Sequence, residues 1–184
     1  AFAKPQIGGD ALGTMCLSEP QAGSSLADIR SLAVPDGEDA FGQRHRITGN
    51  KMWISAGDHD IAGNIVHLVL AKTPDAEGKP LPGIQGISLF VVPKRLPDGQ
   101  PNDIAVAGLN HKMGYRGTSN CLLNFGEGTH RPDGHAGAIG WRIGGAGEGI
   151  AQMFHMMNEA RTSVGLGAAA AGYRGHLLSV DYAR

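Results

Sequence analysis

Apolar residues follow two different periods along this chain, and the change between them divides it into two parts. Before about residue 140 they either alternate with polar residues or form short uninterrupted runs, and both patterns indicate β-strands. After Gly147 they recur at steps of three and four, which indicates one face of an α-helix. The helical stripe consists of Ile150, Met153, Phe154, Met157, Ala160, Val164, Ala168 and Ala171. The pattern therefore predicts a mainly β region followed by a helix.

The clearest predicted strands are two apolar runs, residues 64–72 and 87–92, which lack the alternation expected of a strand with one solvent-facing side. Alternating patterns predict further strands, which are separated by turns rich in glycine and proline. These strands cover residues 13–18, 28–34, 43–48, 52–55, 103–109 and 119–125, with turns at 35–37 and 49–50 and a loop over 126–140. Local hairpins of this kind predict a compact β-barrel or two packed sheets.

The same pattern predicts the domain organisation. We expect an irregular lead-in over residues 1–12, a β domain over 13–140 and a first helix over 141–184. A single amphipathic helix cannot form a layer by itself, because its apolar stripe needs a partner. The sequence therefore predicts the first helix of a helical domain whose remainder lies outside these 184 residues.

The composition argues against several classes of protein. Lys and Arg number 16 against 17 Asp and Glu, so a net charge of −1 gives no electrostatic footprint for nucleic acid or an anionic membrane. Two cysteines, Cys16 and Cys121, are too few for a disulfide framework. No apolar run reaches the roughly 18 residues of a membrane span. We therefore expect a cytoplasmic protein that binds neither nucleic acid nor membrane.

One strand and the loop after it, residues 13–28, have a composition suited to anion binding. The strand runs into Glu19-Pro20, where ladder pairing should end because proline has no N–H group. Small residues follow at 21–25, and their backbone N–H groups and two hydroxyls can approach an anion closely. Taken alone, this segment is equally compatible with an ordinary strand that ends in a Gly/Ser turn.

A second segment favours the anion-binding interpretation. The chain reads CLSEPQAGS at residues 16–24 and KMWISAG at residues 51–57. Together these resemble two motifs of the acyl-CoA dehydrogenase family, C-[VLI]-[ST]-E-P-x-A-G-S and K-x-W-I-[ST]-x-G, in the family's order and spacing. The resemblance covers nearly the whole chain. Through residues 61–93 and 156–161 it is similar above all to the branch of the 3-methylmercaptopropionyl-CoA dehydrogenases.

The resemblance implies a β middle domain followed by a partial helical domain, and α,β-desaturation of an acyl-CoA thioester with hydride transfer to N5 of FAD. It assigns Leu17 and Ser18 to the pyrimidine edge of the flavin, and Trp53 and Ser55 to its ring and N5/O4 side. The FAD pyrophosphate would meet a cofactor-binding pair, Gly23 and Ser24. The family usually has Asp after that pair, and Ser25 stands there instead.

The predicted helix carries residues that resemble the family's substrate-binding motif. Asn158 and Arg161 match [DN]-x-x-R, and their spacing of three places both on one helical face. Some branches of the family carry the catalytic Glu directly before this Arg, but Ala160 stands there. The neighbouring Glu159 lies about 100° around the helix. The resemblance therefore implies that the base lies beyond residue 184, and it identifies no catalytic residue within the chain.

Other interpretations remain open at this point. One is a flavin-bearing relative that acts in the response to DNA alkylation, and another is a β interaction module without a cofactor. For an enzyme, the resemblance implies fatty acid metabolism, an electron-transfer flavoprotein as electron acceptor and a homo-oligomer of two or four subunits. Neither of two acidic and histidine-rich groups, at residues 58–60 and 130–135, has the spacing of a metal site.

Overall fold

The computed structural model describes residues 2–184, and this part of the chain contains eight β-strands and two α-helices. The strands are β1 Ala11–Cys16, β2 Leu32–Asp39, β3 Gly42–Ser55, β4 Asn64–Lys72, β5 Ile87–Pro93, β6 Ile104–Leu109, β7 Asn120–Phe125 and β8 Ala138–Ile143. The helices are α1 Ala3–Gly8 and α2 Gly149–Ala183. The predicted mainly β fold followed by a helix is therefore confirmed.

The strands form one sheet in the order β1-β4-β5-β8-β3-β7-β6, and β2 pairs with both β3 and β4. Most pairs are antiparallel, as expected for local hairpins, but β1 runs parallel to β4. This parallel pairing places Thr14 opposite His67 and Cys16 opposite Val69. The strand that leads into the first motif therefore lies beside β4, which is buried along most of its length.

The core of the β region is built from the inward-facing side chains of most of the strands. It contains Cys16, Ala33, Ile47, Ile54, Val69, Ala71, Phe90, Val92, Cys121, Leu123, Phe125 and Ala138, all almost fully buried. Strands β4 and β5 are buried along most of their length, which confirms the interpretation of their apolar runs. Burial on both faces removes the need for alternation, because neither face meets water.

Two predictions about the first hairpin were wrong. Residues 35–37 do not form its turn, because they lie within β2, where the pairing with β3 shifts register between Pro35 and Glu38. Residues 49–50 do not form a turn either, because β3 continues through them to Ser55. Gly49 allows this continuation, since its φ of 142° places it where a side chain would be strained.

Three further predictions about the chain need correction. Residues 1–12 were expected to be irregular, but α1 forms there and β1 starts at Ala11. Residues 28–34 are only partly a strand, because a 3-10 turn at Leu26–Asp28 precedes β2. The expected loop over 126–140 ends early, because β8 begins at Ala138 and pairs with β3 and β5. In each case backbone hydrogen bonding determines the local structure. The predictions failed because short segments rich in small residues show little hydrophobic periodicity.

The chain divides into a compact unit that extends to Ile150 and a second unit over Ala151–Arg184. The second unit consists of α2 from Ala151 onward together with Arg184, and the 35-residue helix continues through four internal glycines without a break. Each such glycine costs up to about 1 kcal/mol relative to alanine. Within residues 2–184, no helix combines the length and the hydropathy that a membrane span requires.

The contact at Gly49 yields a first prediction. A Cβ added there would lie 2.8 Å from the Cα of Ser31, in addition to the strain of its positive φ. Gly49→Ala should therefore lower the free energy of unfolding by about 2–4 kcal/mol, which combines the cost of overpacking with that of backbone strain. Urea denaturation followed by circular dichroism measures this change.

Gly108→Ala is the matched control for this prediction. Gly108 lies in β6, has no positive φ, and a Cβ added there would meet nothing within 4 Å. Alanine should leave stability unchanged or raise it by up to about 1 kcal/mol, because it restricts the unfolded chain. Equal effects of the two substitutions would contradict our account of Gly49.

Candidate functional site

The first motif forms the end of β1 and the loop that follows it. Leu17 and Ser18 are half-buried just beyond the strand, whereas Gly23 and Ser24 are exposed. Between them the loop is tightened by two reciprocal main-chain hydrogen bonds, from Glu19 N to Ala22 O (2.8 Å) and from Ala22 N to Glu19 O (3.0 Å). A short turn therefore carries Gly23 and Ser24 out of the sheet, as the proline and the small residues after it predict.

The second motif lies at the end of β3, where the strand contains a β-bulge. Its pairing with β7 shifts register between Lys51 and Ile54, so both of these side chains point into the core. Trp53 lies inside the bulge with a φ of 66° and is 50% exposed. A positive φ is costly for a bulky residue, and such strain is concentrated at functional sites. The bulge therefore presents an indole ring on the surface that regular alternation would have turned inward.

Direct hydrogen bonds join the two motifs. The backbone N–H of Met52 donates to the carbonyl oxygen of Ser18 (2.9 Å), and the ammonium group of Lys51 donates to that of Leu17 (3.1 Å). Ser55 follows on β3, and its hydroxyl accepts a hydrogen bond from the amide of Asn120 (3.3 Å). The structure thus brings Leu17 and Ser18 beside the strand end that carries Trp53 and Ser55.

A buried ion pair holds this arrangement together. The ammonium group of Lys51 lies 2.8 Å from a carboxylate oxygen of Glu19, and both side chains are almost completely inaccessible to solvent. Glu19 accepts four more hydrogen bonds, from Gln21 Nε2, Arg30 N, Ser31 N and Ser31 Oγ. The carboxylate therefore links the turn at Glu19–Ala22 to Arg30 and Ser31 at the far end of the loop.

The titration of this pair is set by burial and by mutual attraction. Burial alone would raise the pKa of Glu19, but the charge and hydrogen bond of Lys51 and the donors of Ser31 and Arg30 together hold that pKa below its ordinary value. Burial lowers the pKa of Lys51, and the charge of Glu19 opposes that shift. Because each charge has a partner and further hydrogen bonds, the pair can remain ionised inside the protein. Both residues lie within the two sequence motifs, but neither was predicted to have a role.

An exposed loop between β6 and β7 also reaches the second motif. The ammonium group of Lys112 lies 5.8 Å from the centroid of the Trp53 ring, within the range of a cation–π contact. Met113 and Tyr115 on the same loop are 95% and 91% exposed. The contact between Lys112 and Trp53 was not predicted, because a contact between a loop and a distant strand leaves no periodic pattern in the sequence.

The predicted substrate-binding pair lies on α2, in the second unit. Arg161 Nη1 donates to Asn158 Oδ1 (3.3 Å), so the two side chains share one helical face as their spacing predicts. Both side chains are exposed. At the position of a possible base, Ala160 offers no proton acceptor, and Glu159 is exposed on another face of the helix. Their predicted role in binding CoA stays a prediction.

Neither cysteine chemistry nor metal ligation is supported within residues 2–184. Burial raises the pKa of Cys16 to about 12, so its thiol stays protonated at neutral pH. In this part of the chain, no group of three or more His, Cys, Asp and Glu side chains is arranged to hold a metal ion. The chemistry of the site therefore rests on hydroxyls, backbone N–H groups and one exposed indole.

Comparisons with known proteins agree with this geometry. Residues 14–127 match the family model of the acyl-CoA dehydrogenase middle domain. The chain is 38% identical to a butyryl-CoA dehydrogenase of Syntrophomonas wolfei, over 100% of the chain and 29% of that protein. It is also 38% identical to the 3-methylmercaptopropionyl-CoA dehydrogenase of Ruegeria pomeroyi, over 94% of the chain and 27% of that protein. The chain thus spans less than a third of the length of these relatives.

A solved structure supports the fold. The crystal structure of Caenorhabditis elegans ACDH-11 in complex with C11-CoA matches with a TM-score of 0.63 and 31% identity. The match covers 79% of this chain and 22% of that chain. Family, relatives and fold therefore all agree with the resemblance found in the two motifs.

The buried ion pair leads to a second prediction. Lys51→Met should lower the free energy of unfolding by about 3–5 kcal/mol, because it leaves the Glu19 carboxylate buried without its counter-charge. The double variant Glu19→Gln/Lys51→Met should lose less than the sum of the two single losses, because neither charge remains. Urea denaturation of the four proteins measures this coupling. Strictly additive losses would show that the two side chains do not act as a pair.

The same pair predicts how stability depends on pH. Because the pKa of Glu19 is lowered in the folded state, its contribution to stability is present above the ordinary carboxyl pKa of 4.5 and is lost as pH falls through the lowered value. Wild-type stability should therefore fall more steeply below pH 4.5 than that of Glu19→Gln. Parallel curves for the two proteins would contradict the assignment.

Proposed function

The chain belongs to the acyl-CoA dehydrogenase family, and we propose that it forms the β part of an FAD- and acyl-CoA-binding site that desaturates a thioester between Cα and Cβ. The observation that carries this proposal is the hydrogen-bonded contact between the two motif segments, from Met52 N to Ser18 O, directly beside the exposed indole of Trp53. This contact places the proposed cofactor residues of β1 and β3 next to each other.

The residues present fit FAD. The backbone N–H groups of Gly23 and Ser24 have no partner among residues 2–184, and unpaired N–H groups on a loop of small residues are suited to a pyrophosphate. Ser18 and Ser55 offer hydroxyl groups to a ring edge, and the exposed face of Trp53 offers a surface for an aromatic ring. When bound, FAD would supply the hydride acceptor that protein side chains lack.

The residues of this chain would bind the cofactor and orient its ring. We propose that Leu17 and Ser18 hold the pyrimidine edge, where hydrogen-bond donors favour the charge that develops on reduction. Trp53 and Ser55 would fix the ring and its N5 side. Gly23 and Ser24 would hold the pyrophosphate. Because Ser25 carries no charge, no carboxylate repels an anion at the position after that pair.

Substrate binding is proposed for α2. Asn158 and Arg161 would contact the CoA portion, since the guanidinium group suits anionic and carbonyl oxygens and is oriented by its bond to Asn158. The acyl-CoA dehydrogenase reaction also needs a base at Cα. Ala160 cannot accept a proton and Glu159 points elsewhere, so we propose that the base comes from outside residues 1–184.

The cellular setting is part of the proposal. By family resemblance the protein would act in fatty acid metabolism in the cytoplasm, pass electrons to an electron-transfer flavoprotein and assemble as a homo-oligomer. The named relatives act on butyryl-CoA and 3-methylmercaptopropionyl-CoA, which are short acyl thioesters. Short acyl chains are therefore the first substrates to test.

The decisive experiment uses the protein expressed with whatever sequence adjoins this chain in its gene. The purified protein should show the absorption bands of bound flavin, and anaerobic addition of short-chain acyl-CoA should bleach them. A colourless protein that neither takes up added FAD nor responds to acyl-CoA would refute the proposal. A panel of thioesters of increasing chain length then identifies the substrate.

A fourth prediction tests Trp53. Trp53→Ala should weaken FAD binding about 2- to 10-fold, because an aromatic contact is worth about 0.5–1.5 kcal/mol. Trp53→Phe should retain most of the affinity, since it keeps an aromatic face. Fluorescence titration of the flavin-free protein measures the dissociation constants.

Phe41→Ala is the control for Trp53. Phe41 is 42% exposed and lies outside both motifs, so its loss should leave FAD affinity unchanged. If Phe41→Ala and Trp53→Ala weakened binding equally, the effect would be one of general stability. Unchanged affinity in Trp53→Ala would mean that the indole does not contact the cofactor.

A fifth prediction tests the base. Glu159→Gln should slow flavin reduction by substrate far less than the roughly 10²–10⁴-fold that follows loss of a general base. Anaerobic stopped-flow bleaching of the flavin measures this rate, and Asp181→Asn provides a second carboxylate variant on the same helix. A loss of several hundredfold in Glu159→Gln alone, with CoA binding intact, would show that Glu159 is the base.

A further inference from the structure

Two asparagines close the base of the exposed loop between β6 and β7. The backbone N–H of Asn110 donates to the carbonyl oxygen of Asn120 (2.7 Å), and the side-chain amide of Asn110 donates to Asn120 Oδ1 (3.0 Å). Asn120 is only 5% exposed, so its amide has little access to water as an alternative partner. Because Asn110 occupies Oδ1, the amide of Asn120 is held in one orientation.

The other half of that amide is directed at the second motif. Asn120 Nδ2 donates to the hydroxyl oxygen of Ser55 (3.3 Å), the residue opposite it in the pairing of β3 with β7. Ser55 is exposed, and its hydroxyl hydrogen has no acceptor among residues 2–184. Because the hydroxyl accepts on the side of Asn120, its own hydrogen is left for a molecule outside the fold.

The same loop is attached to the end of β3 at further points. The ammonium group of Lys112 lies over the ring of Trp53. The backbone N–H of Ala56 donates to the carbonyl oxygen of Ser119 (2.7 Å). These contacts lie on either side of Ser55 along the strand, so this serine is held in place relative to the loop.

The side-chain hydrogen bonds of this group run in one direction. Asn110 donates to Asn120, and Asn120 donates to Ser55. In a chain of hydrogen bonds each bond polarises the next, which strengthens the last donor. That last donor is the exposed hydroxyl of Ser55, a residue of the proposed cofactor site.

We propose that Asn120 is a positioning residue, which orients the hydroxyl of Ser55 as a hydrogen-bond donor towards the flavin ring. This inference rests on the proposed function, in which Ser55 lies on the N5/O4 side of that ring. Donors at the ring favour the charge that develops on reduction. Asn120 should therefore raise both the affinity for FAD and the midpoint potential of the bound flavin, although it does not touch the cofactor itself.

The substitution Asn120→Asp tests the direction of the hydrogen bond. A carboxylate only accepts, so the hydrogen of Ser55 would turn towards position 120 and away from the cofactor. In the protein expressed with the sequence that adjoins this chain in its gene, FAD affinity should fall about 2- to 10-fold, as expected for one hydrogen bond, and the midpoint potential should become more negative. Fluorescence titration of the flavin-free protein and spectroelectrochemical titration of the loaded protein measure these two changes.

Two further variants separate this role from the effect of an added charge. Asn124→Asp places a carboxylate on the same strand, where Oδ1 already accepts from Asn50 Nδ2 (2.6 Å), and it should leave affinity and potential unchanged. In the Ser55→Ala background, Asn120→Asp should have a smaller effect than in the wild type, because the hydroxyl through which it acts is gone. Equal effects of Asn120→Asp in the two backgrounds, or equal effects of Asn120→Asp and Asn124→Asp, would overturn the proposal.

A measurement on the flavin-free protein keeps the proposal testable if Asn120→Asp fails to fold. Ser55 is exposed, so Ser55→Ala should leave the fold intact. With ¹⁵N-labelled asparagine, this substitution should shift the side-chain amide resonance of Asn120 and leave that of Asn124 in place. An unmoved Asn120 resonance would show that its amide does not bind the hydroxyl.

Failure of this inference differs from failure of the proposed function. A protein that takes up no FAD at all would refute the proposed function and the role of Asn120 with it. A wild-type protein that binds FAD, together with an Asn120→Asp variant of equal affinity and equal potential, would overturn the role of Asn120 alone.

Discussion

The ion pair between Lys51 and Glu19 is the interaction on which the rest of the site depends. It joins the end of β1 to the end of β3, two segments separated by more than thirty residues of chain. Burying two charges is unfavourable, and the penalty is offset here because Glu19 accepts hydrogen bonds from five donors. Those donors come from both sides of the loop, so the pair fixes the path of the chain around Gly23 and Ser24. A loop of glycine and serine has little stiffness of its own, and the buried carboxylate supplies the constraint that those residue types lack.

The fold could be predicted from the sequence where a strand is decided by burial alone. Strands β4 and β5 are runs of apolar residues, and a run buried on both faces leaves little choice of structure. Strand β8 could not be predicted in this way, because it begins within a segment rich in glycine and pairs with β3 and β5, whose positions depend on the whole sheet. The continuation of β3 through Gly49 could not be predicted either, because it also depends on pairing with another strand. An Asn preceded by Gly favours a turn locally, but pairing with β7 extends the strand.

In the candidate site, too, features set by contiguous sequence could be predicted, whereas features set by contacts between distant segments could not. Leu17, Ser18, Trp53 and Ser55 could be identified because each motif is contiguous and its order along the chain is informative. The exposure of Trp53 could not, since alternation from Lys51 would place it inside the core. A register shift against β7 turns it outward, and that shift is a property of two paired strands. The ion pair between Lys51 and Glu19 could not be predicted for a similar reason. Neither segment by itself indicates which buried cation pairs with which buried carboxylate.

Two buried polar side chains in the same sheet differ in how fully the fold satisfies their hydrogen-bonding groups. Lys51 and His67 are both 0% exposed, and both belong to the set of polar side chains buried in the β region. The ammonium group of Lys51 donates hydrogen bonds to a carboxylate and to a carbonyl oxygen, so the fold itself supplies its partners. His67 pairs one nitrogen with Thr14, whereas its Nε2 has no hydrogen-bond partner among residues 2–184. A phenylalanine at position 67 would pack against Phe125 without leaving a nitrogen unpaired, so packing alone does not explain the imidazole. The penalty for burying a polar group is therefore offset where its partners are buried with it, as with Lys51 and Glu19, and it persists where a nitrogen stays unpaired, as in His67.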